Sequence, residues 1–130
     1  MPDRQREYET VYLLRPDMAD TGVEETKDRI ADAIEKAGGH VLKFDDWGQR
    51  DTAYEVRDES NEQKYERAHY QYYRYLVPSE EATTVEDELK FVEGALKYLT
   101  VKVAEDLIPE ERLSEPVEKG DTGESLPYSE

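Results

Sequence analysis

The chain has no cysteine, no long apolar stretch and about half as many basic as acidic residues. Without cysteine it can form no disulfide bond and no thiolate metal site. No stretch is apolar enough for a signal peptide or a membrane-spanning helix, so we expect a cytoplasmic protein. The formal net charge of −16, from 33 acidic and 17 basic residues, should repel nucleic acid and anionic membranes at long range. Any RNA contact must therefore be local.

The length of 130 residues is that of one domain. Leu, Ile, Val and Phe together supply only 25 of these residues, a level at which strong net charge favours disorder. Ten tyrosines offset this shortage, because each adds a large apolar ring and most of them lie in strand-like segments. We predict a folded domain over residues 1–106 and an acidic, disordered tail over residues 107–130, where prolines and glycines recur.

Segments rich in β-branched and aromatic residues predict four strands. They cover residues 8–15, 40–57, 69–77 and 97–103. Gly48 interrupts the second strand, and a β-bulge or bend would be tolerated there at little steric cost. The charged segment 58–67 has no apolar face, so it is predicted to be a mobile hairpin loop.

Apolar residues at helical spacing predict two helices, over about residues 23–37 and 84–93. Residues 21–24, Thr-Gly-Val-Glu, have the form of a capping box at the start of the first helix. The resulting order, β-α-β-β-α-β, predicts an α+β, ferredoxin-like fold in which two helices cover one face of a four-stranded antiparallel sheet. The other face would be open to a partner.

Several short motifs follow one another on these predicted elements: Tyr8-Glu9, Arg15-Pro16-Asp17, Asp46-Trp47-Gly48, Arg50, Ala53-Tyr54 and Thr100-Val101-Lys102-Val103. Together, across about residues 6–106, they resemble the bacterial small-subunit ribosomal protein six family. The resemblance implies a structural constituent of the small ribosomal subunit that pairs with small-subunit ribosomal protein eighteen. The pair would bind the central domain of 16S rRNA on cytoplasmic ribosomes, by shape and charge, without catalysis and without a cofactor.

The chain departs from the family pattern in two places. Gln49 stands where the family commonly has a second basic residue after the Trp-Gly pair, and Thr52 and Glu55 replace its usual Leu and Pro. Near the end of the second helix, Val92-Glu93-Gly94 replaces an Asn-Asp turn that basic residues follow. These departures reduce the positive charge on the face that the resemblance assigns to RNA.

Six cations are the candidate phosphate contacts: Arg4, Arg6, Arg50, Lys90, Lys97 and Lys102. The Arg50 guanidinium can donate two hydrogen bonds to a phosphate, and a salt bridge with Asp46 or Asp51 is the alternative. Alternation along the last strand places Lys97 and Lys102 on opposite faces, so at most one of them would contact RNA. Arg4 and Arg6 belong either to an arm that reaches RNA or to an ordinary solvated terminus.

The candidate contacts for the protein partner surround the only tryptophan: Asp46, Trp47, Gly48, Ala53 and Tyr54. Trp47 either packs in the core at the strand bend or is exposed as an interface anchor. The tyrosines of the third strand are expected to pack across strands instead of stacking on bases, because the basic-Gly-aromatic pattern of RNA-recognition sheets is absent.

The predicted architecture is also compatible with other classes of function. A non-ribosomal interaction domain or a homodimeric ligand-sensing domain of the same architecture would bind a second copy through the open face. An acylphosphatase-like enzyme would use Arg15, but Pro16 removes a backbone donor and Asp17 adds an anion where such enzymes need an anion cradle. No catalytic residue is therefore predicted. His40 and His69 have no acidic partner at a fixed spacing, so no metal site is predicted.

The excess of carboxylates has two explanations. An acidic surface would steer a strongly basic partner into place and fix its register. A salty cytoplasm would also favour it, because salt at about 1 M shortens the Debye length to about 3 Å and screens self-repulsion.

Overall fold

A computed structural model describes residues 4–58 and 61–117 of the chain. Four strands, three helices and a single 3-10 turn, Ser79–Glu81, are assigned in this part. In chain order these strands and helices are β1 (Gln5–Leu14), α1 (Asp20–Lys36), β2 (His40–Arg57), β3 (Lys64–Pro78), α2 (Thr84–Leu89), β4 (Ala95–Leu107) and α3 (Pro109–Leu113).

All four strands pair antiparallel in one sheet, in the order β2-β3-β1-β4. This topology confirms the predicted ferredoxin-like fold. Among the described residues, the longest helix is the amphipathic α1, and none meets the length and apolarity that a membrane crossing requires.

The main core lies between the sheet and the helices α1 and α2. It contains Tyr8, Tyr12, Tyr73 and Tyr75 from the central strands, packed against aliphatic residues of both helices. Their positions alternate along each strand, because successive strand side chains point to opposite faces. Each buried hydroxyl needs a partner. The Tyr73 hydroxyl donates to the Lys27 carbonyl (2.6 Å), and the Tyr12 hydroxyl donates to Gln71 Oε1 (2.7 Å). Tyrosines thus supply the apolar volume that the composition otherwise lacks.

A second apolar cluster lies on the opposite face of the sheet. Leu13 and Tyr70 are fully buried there, and Trp47 and Leu96 pack against the cluster. Residues of β2 partly cover this cluster. The register of β2 against β3 shifts between Asp51 and Val56. Tyr54 lies within this shifted stretch, and its ring contacts Lys97 of β4 although β3 and β1 lie between the two strands.

The helix ends differ from the sequence prediction. α1 begins at Asp20, with Ala19 as its N-cap and no side-chain hydrogen bond at the cap, so the capping box at residues 21–24 is wrong. The Val23 amide instead donates to the Ala19 carbonyl (3.0 Å), which places Thr21 inside the first turn. α2 ends at Leu89, four residues before the predicted end, because residues 90–94 form turns that lead into β4.

The hairpin and the C-terminal segment also contain more regular secondary structure than predicted. β3 begins at Lys64, so the predicted loop 58–67 shortens to residues 58–63, of which 59 and 60 lie outside the described residues. The tail was predicted from residue 107, but α3 follows β4 directly, and its Arg112 forms an ion pair with the buried Glu7. Residues 118–130 lie outside the described residues, so disorder there stays a prediction.

Candidate protein and RNA interface

A β-bulge at the middle of β2 builds the candidate site. Asp46 pairs with Gln71 of β3, and Gly48 pairs with the next residue, Tyr70, so Trp47 is the extra residue on β2. Gly48 has a positive φ of 71°, a conformation that L side chains rarely adopt. A Cβ at Gly48 would meet open space, so it is the backbone conformation that favours glycine. The predicted bulge is confirmed.

The bulge places Trp47 against the second cluster. Its ring stacks on Tyr72, with ring centroids 5.3 Å apart and planes 20° from parallel. The Arg50 Cζ atom lies 5.6 Å from the Trp47 ring centroid, and Arg50 Nε donates to the Trp47 carbonyl (3.3 Å). Trp47 is half-buried, so it packs in a core cluster and also keeps part of its surface exposed.

The neighbouring Asp46 carboxylate accepts hydrogen bonds from three donors. They are the Gly48 amide (2.8 Å), His69 Nε2 (2.8 Å) and Gln71 Nε2 (3.0 Å). Desolvation alone raises the pKa of the Asp46 carboxyl, but the hydrogen bonds from Gln71, His69 and Gly48 hold that pKa below its usual range. Asp51, the other carboxylate predicted as a partner of Arg50, pairs with Arg67 (3.1 Å).

A second pair of a cation and an aromatic ring lies at the same end of the sheet. The Lys97 Nζ atom is 5.4 Å from the Tyr54 ring centroid, and 54% of Tyr54 is exposed. Ala53, the residue before it, is also exposed. Cation–π geometry of this kind places a positive charge over the face of an exposed aromatic ring. Trp47, Arg50, Tyr54 and Lys97, which we call the aromatic end, can therefore bind either a protein side chain or a nucleic acid.

The six candidate cations separate into two groups. Arg50 and Lys97 belong to the aromatic end, and Lys97 pairs with Leu13. Lys90, the C-cap residue of α2, lies toward the same end of the sheet, because the turn after it hydrogen-bonds to the residue following β1. Arg4, Arg6 and Lys102 lie at the opposite end, where Lys102 pairs with Tyr8. Lys97 and Lys102 thus point to opposite faces, as the alternation predicts.

The second group of cations is tied to acidic residues of β4. Lys102 Nζ lies 3.0 Å from a Glu105 carboxylate oxygen, and Arg6 Nε lies 3.9 Å from the same oxygen. Arg4 Nη1 donates to the Asp106 carbonyl (3.3 Å). Lys90 in the first group has its own pair, with Asp87 at 3.4 Å. A phosphate would have to compete with these carboxylates.

Sequence reasoning missed the residues that support the bulge. His69 has an acidic partner after all, because strand pairing brings Asp46 beside it from 23 positions away. Gln71 and Tyr12 continue the same network into the core. Only the strand register could have revealed these contacts. Within residues 4–58 and 61–117, no three His, Asp or Glu side chains group in a way that could hold a metal ion.

Comparison with known proteins gives consistent matches. A family model described as Ribosomal protein S6 matches residues 7–102. Small ribosomal subunit protein bS6 of Trichlorobacter lovleyi is 31% identical over 110 residues, covering 85% of this chain and 84% of that protein. The bS6 protein of Nitratidesulfovibrio vulgaris is 34% identical over 100 residues, covering 77% and 93%.

A solved structure has the same fold. The crystal structure of 30S ribosomal protein S6 from Thermotoga maritima matches with a TM-score of 0.66 and 18% identity, over 75% of this chain and 87% of that one. The family model covers more than half of the chain, and the curated relatives match it over most of their length. The chain therefore belongs to the ribosomal protein S6 family of the bacterial small ribosomal subunit.

Proposed function

We propose that the chain pairs with small-subunit ribosomal protein eighteen, and that the two proteins together bind the central domain of 16S rRNA. The chain would contribute shape and charge and would catalyse no reaction. The observation that carries this proposal is the aromatic end, where two aromatic rings and two cations meet on the sheet face that α1 and α2 leave uncovered.

The protein contact is best supported around the bulge. Trp and Tyr are the most frequent anchors of protein interfaces, and Trp47 and Tyr54 both keep exposed surface here. Gly48 and Ala53 add no bulk, so a partner can approach the backbone beside each ring. The net charge of −16 would attract a basic partner and orient it before contact.

The RNA contact is best supported at Arg50 and Lys97, with Lys90 at the same end of the sheet, on the C-cap of α2. These residues lie at one end of the sheet, so one RNA segment could reach all three. Arg4, Arg6 and Lys102 are weaker candidates, because they lie at the opposite end of the sheet from the aromatic end.

The test is a stepwise titration of the purified chain with protein eighteen and then with a central-domain RNA fragment, repeated across salt concentrations. Formation of the protein pair followed by joint RNA binding would support the proposal. A stable homodimer by mass measurement, with no affinity for protein eighteen, would instead support the self-associating domain. The slope of log affinity against log salt concentration counts the phosphates contacted.

Two lysines of β4 give a matched pair for the RNA contact. Lys97→Gln should weaken joint RNA binding and reduce the salt slope by about 1, because one phosphate contact is lost. Lys102→Gln removes the same charge from the same strand, but at the other end and face, and should leave the slope unchanged. Equal effects of the two substitutions would show that only overall charge matters.

A further inference from the structure

Asp46 stands between the core and the aromatic end. Its carboxylate points to the face that carries Tyr12 and Gln71, while the next residue, Trp47, packs on the opposite face. One bulged residue pair thus links the two faces of the sheet. A change in the hydrogen bonds of Asp46 would therefore alter the position of the Trp47 ring on the other face.

Two side chains of β3 hold the Asp46 carboxylate. Gln71 is 1% exposed, and its amide is fixed from both ends, since Oε1 accepts from Tyr12 and Nε2 donates to Asp46. His69, which is also on β3, donates from Nε2, which lies 2.8 Å from both Asp46 oxygens. Hydrogen bonds to an ionised carboxylate are about twice as strong as neutral ones. Asp46 is therefore held in one orientation by β3.

Asp46 in turn fixes the backbone of the bulge. Its Oδ1 atom accepts from the Gly48 amide, and Gly48 is the residue with the positive φ. Glycine has access to more backbone conformations than any other residue, so without this acceptor the bulge would have several alternatives. The stack of Trp47 on Tyr72 and the hydrogen bond from Arg50 to the Trp47 carbonyl both depend on that backbone.

We propose that Asp46, held by His69 and Gln71, is a positioning residue that locks the Gly48 bulge and so presents Trp47 and Arg50 in a fixed orientation to the protein partner. Asp46 then acts through its neighbours and need not touch the partner itself. The use of this surface in recognition rests on the proposed function, whereas the positioning can be measured in the isolated chain.

The sole tryptophan makes the measurement direct, because Trp47 is the only source of tryptophan emission. Asp46→Asn replaces one acceptor oxygen by an amide donor, so at least one of the three donors meets another donor. Asp45→Asn is the matched control, since it removes the same charge one residue away, where Asp45 pairs with Lys43 (3.3 Å). His69→Gln is the second variant and removes the imidazole, one of the two side chains of β3 that hold Asp46.

In the free chain, at a temperature where each variant is shown to be folded, Asp46→Asn and His69→Gln should shift Trp47 emission to longer wavelength and increase its quenching by acrylamide. Asp45→Asn should do neither. Titrated with purified protein eighteen, Asp46→Asn should bind roughly tenfold more weakly, as expected for a lost charged acceptor, and Asp45→Asn should stay near the wild type.

Unchanged emission and quenching in both Asp46→Asn and His69→Gln would overturn the positioning role. An emission change with no loss of affinity beyond that of Asp45→Asn would overturn its use in recognition. If the wild-type chain binds neither protein eighteen nor RNA, the proposed function fails, and emission alone decides whether Asp46 sets the position of Trp47.

Discussion

At the scale of single residues, the most consequential contact outside the aromatic end joins the two ends of the described chain. Glu7 of β1 is 2% exposed, and its carboxylate accepts from Arg74 (2.6 Å) and from Arg112 (2.5 Å) of α3. A buried carboxylate is costly unless cations and hydrogen bonds compensate it. Two guanidiniums here share that role, and one of them also holds α3 on the sheet.

Removing one of the two guanidiniums should therefore weaken the fold. We expect Arg112→Ala to lower the free energy of unfolding by about 2–3 kcal/mol, because Glu7 stays buried with Arg74 alone. Leu113→Ala, on the same short helix but 47% exposed, should cost less than about 0.5 kcal/mol. Urea unfolding of the two variants measures the difference. Similar losses would mean that α3 contributes by burial of surface and not through the ion pair.

The same carboxylate predicts a pH dependence. Desolvation raises the pKa of Glu7, but hydrogen bonds from Arg112 and Arg74 outweigh it and leave the folded-state pKa below its usual value of 4.5. A group with a lowered folded-state pKa stabilises the fold above its unfolded pKa, and this contribution is lost as the pH falls through the folded-state value. Glu7→Gln should thus be less stable than the wild type at pH 7.

The difference between Glu7→Gln and the wild type should shrink as the pH is lowered below about 4, because wild-type Glu7 then becomes protonated and neutral as well. Urea midpoints at several pH values between 7 and 3 would show the convergence. Parallel curves over this range would indicate that Glu7 titrates no differently in the folded and unfolded chain.

At the scale of elements, β2 depends on the glycine in its bulge. Gly48→Ala should cost about 1–2 kcal/mol, because an alanine at a φ of 71° is strained although its Cβ meets no atom. Gly48→Asn should cost less, since asparagine tolerates the left-handed region better than other residues with a side chain. Thermal unfolding ranks the two variants. A larger loss for asparagine would point to a steric conflict instead of backbone strain.

The elements also show what a single sequence can predict. The strands and the bulge were predictable, because tyrosine-rich alternation and one glycine act over short distances along the chain. The pairing of Asp46 with His69 was not, since it requires the register of β2 against β3. The helix α3 was missed for a similar reason. Its segment has few apolar residues, and the contact that holds it, from Arg112 to Glu7, spans 105 positions.

At the scale of the whole molecule, the negative charge must oppose folding. The outer face of α1 alone exposes five carboxylates, in a chain with a net charge of −16: Glu24, Glu25, Asp28, Asp32 and Glu35. Compact states with a large net charge are destabilised by self-repulsion. Salt shortens the Debye length from about 10 Å at 0.1 M to about 3 Å at 1 M, so it should relieve much of this repulsion.

We therefore expect the melting temperature to rise as KCl increases from low to molar concentration. A variant with Glu25, Asp28 and Asp32 neutralised to Gln and Asn provides the control, because any general effect of salt on apolar burial is common to both proteins. The wild type should gain more from salt than this variant, since it has three more charges to screen. A melting temperature that falls or stays flat would show that repulsion is not what limits stability. The carboxylates would then be explained by attraction of a basic partner, and their neutralisation would slow association with that partner instead of stabilising the free chain.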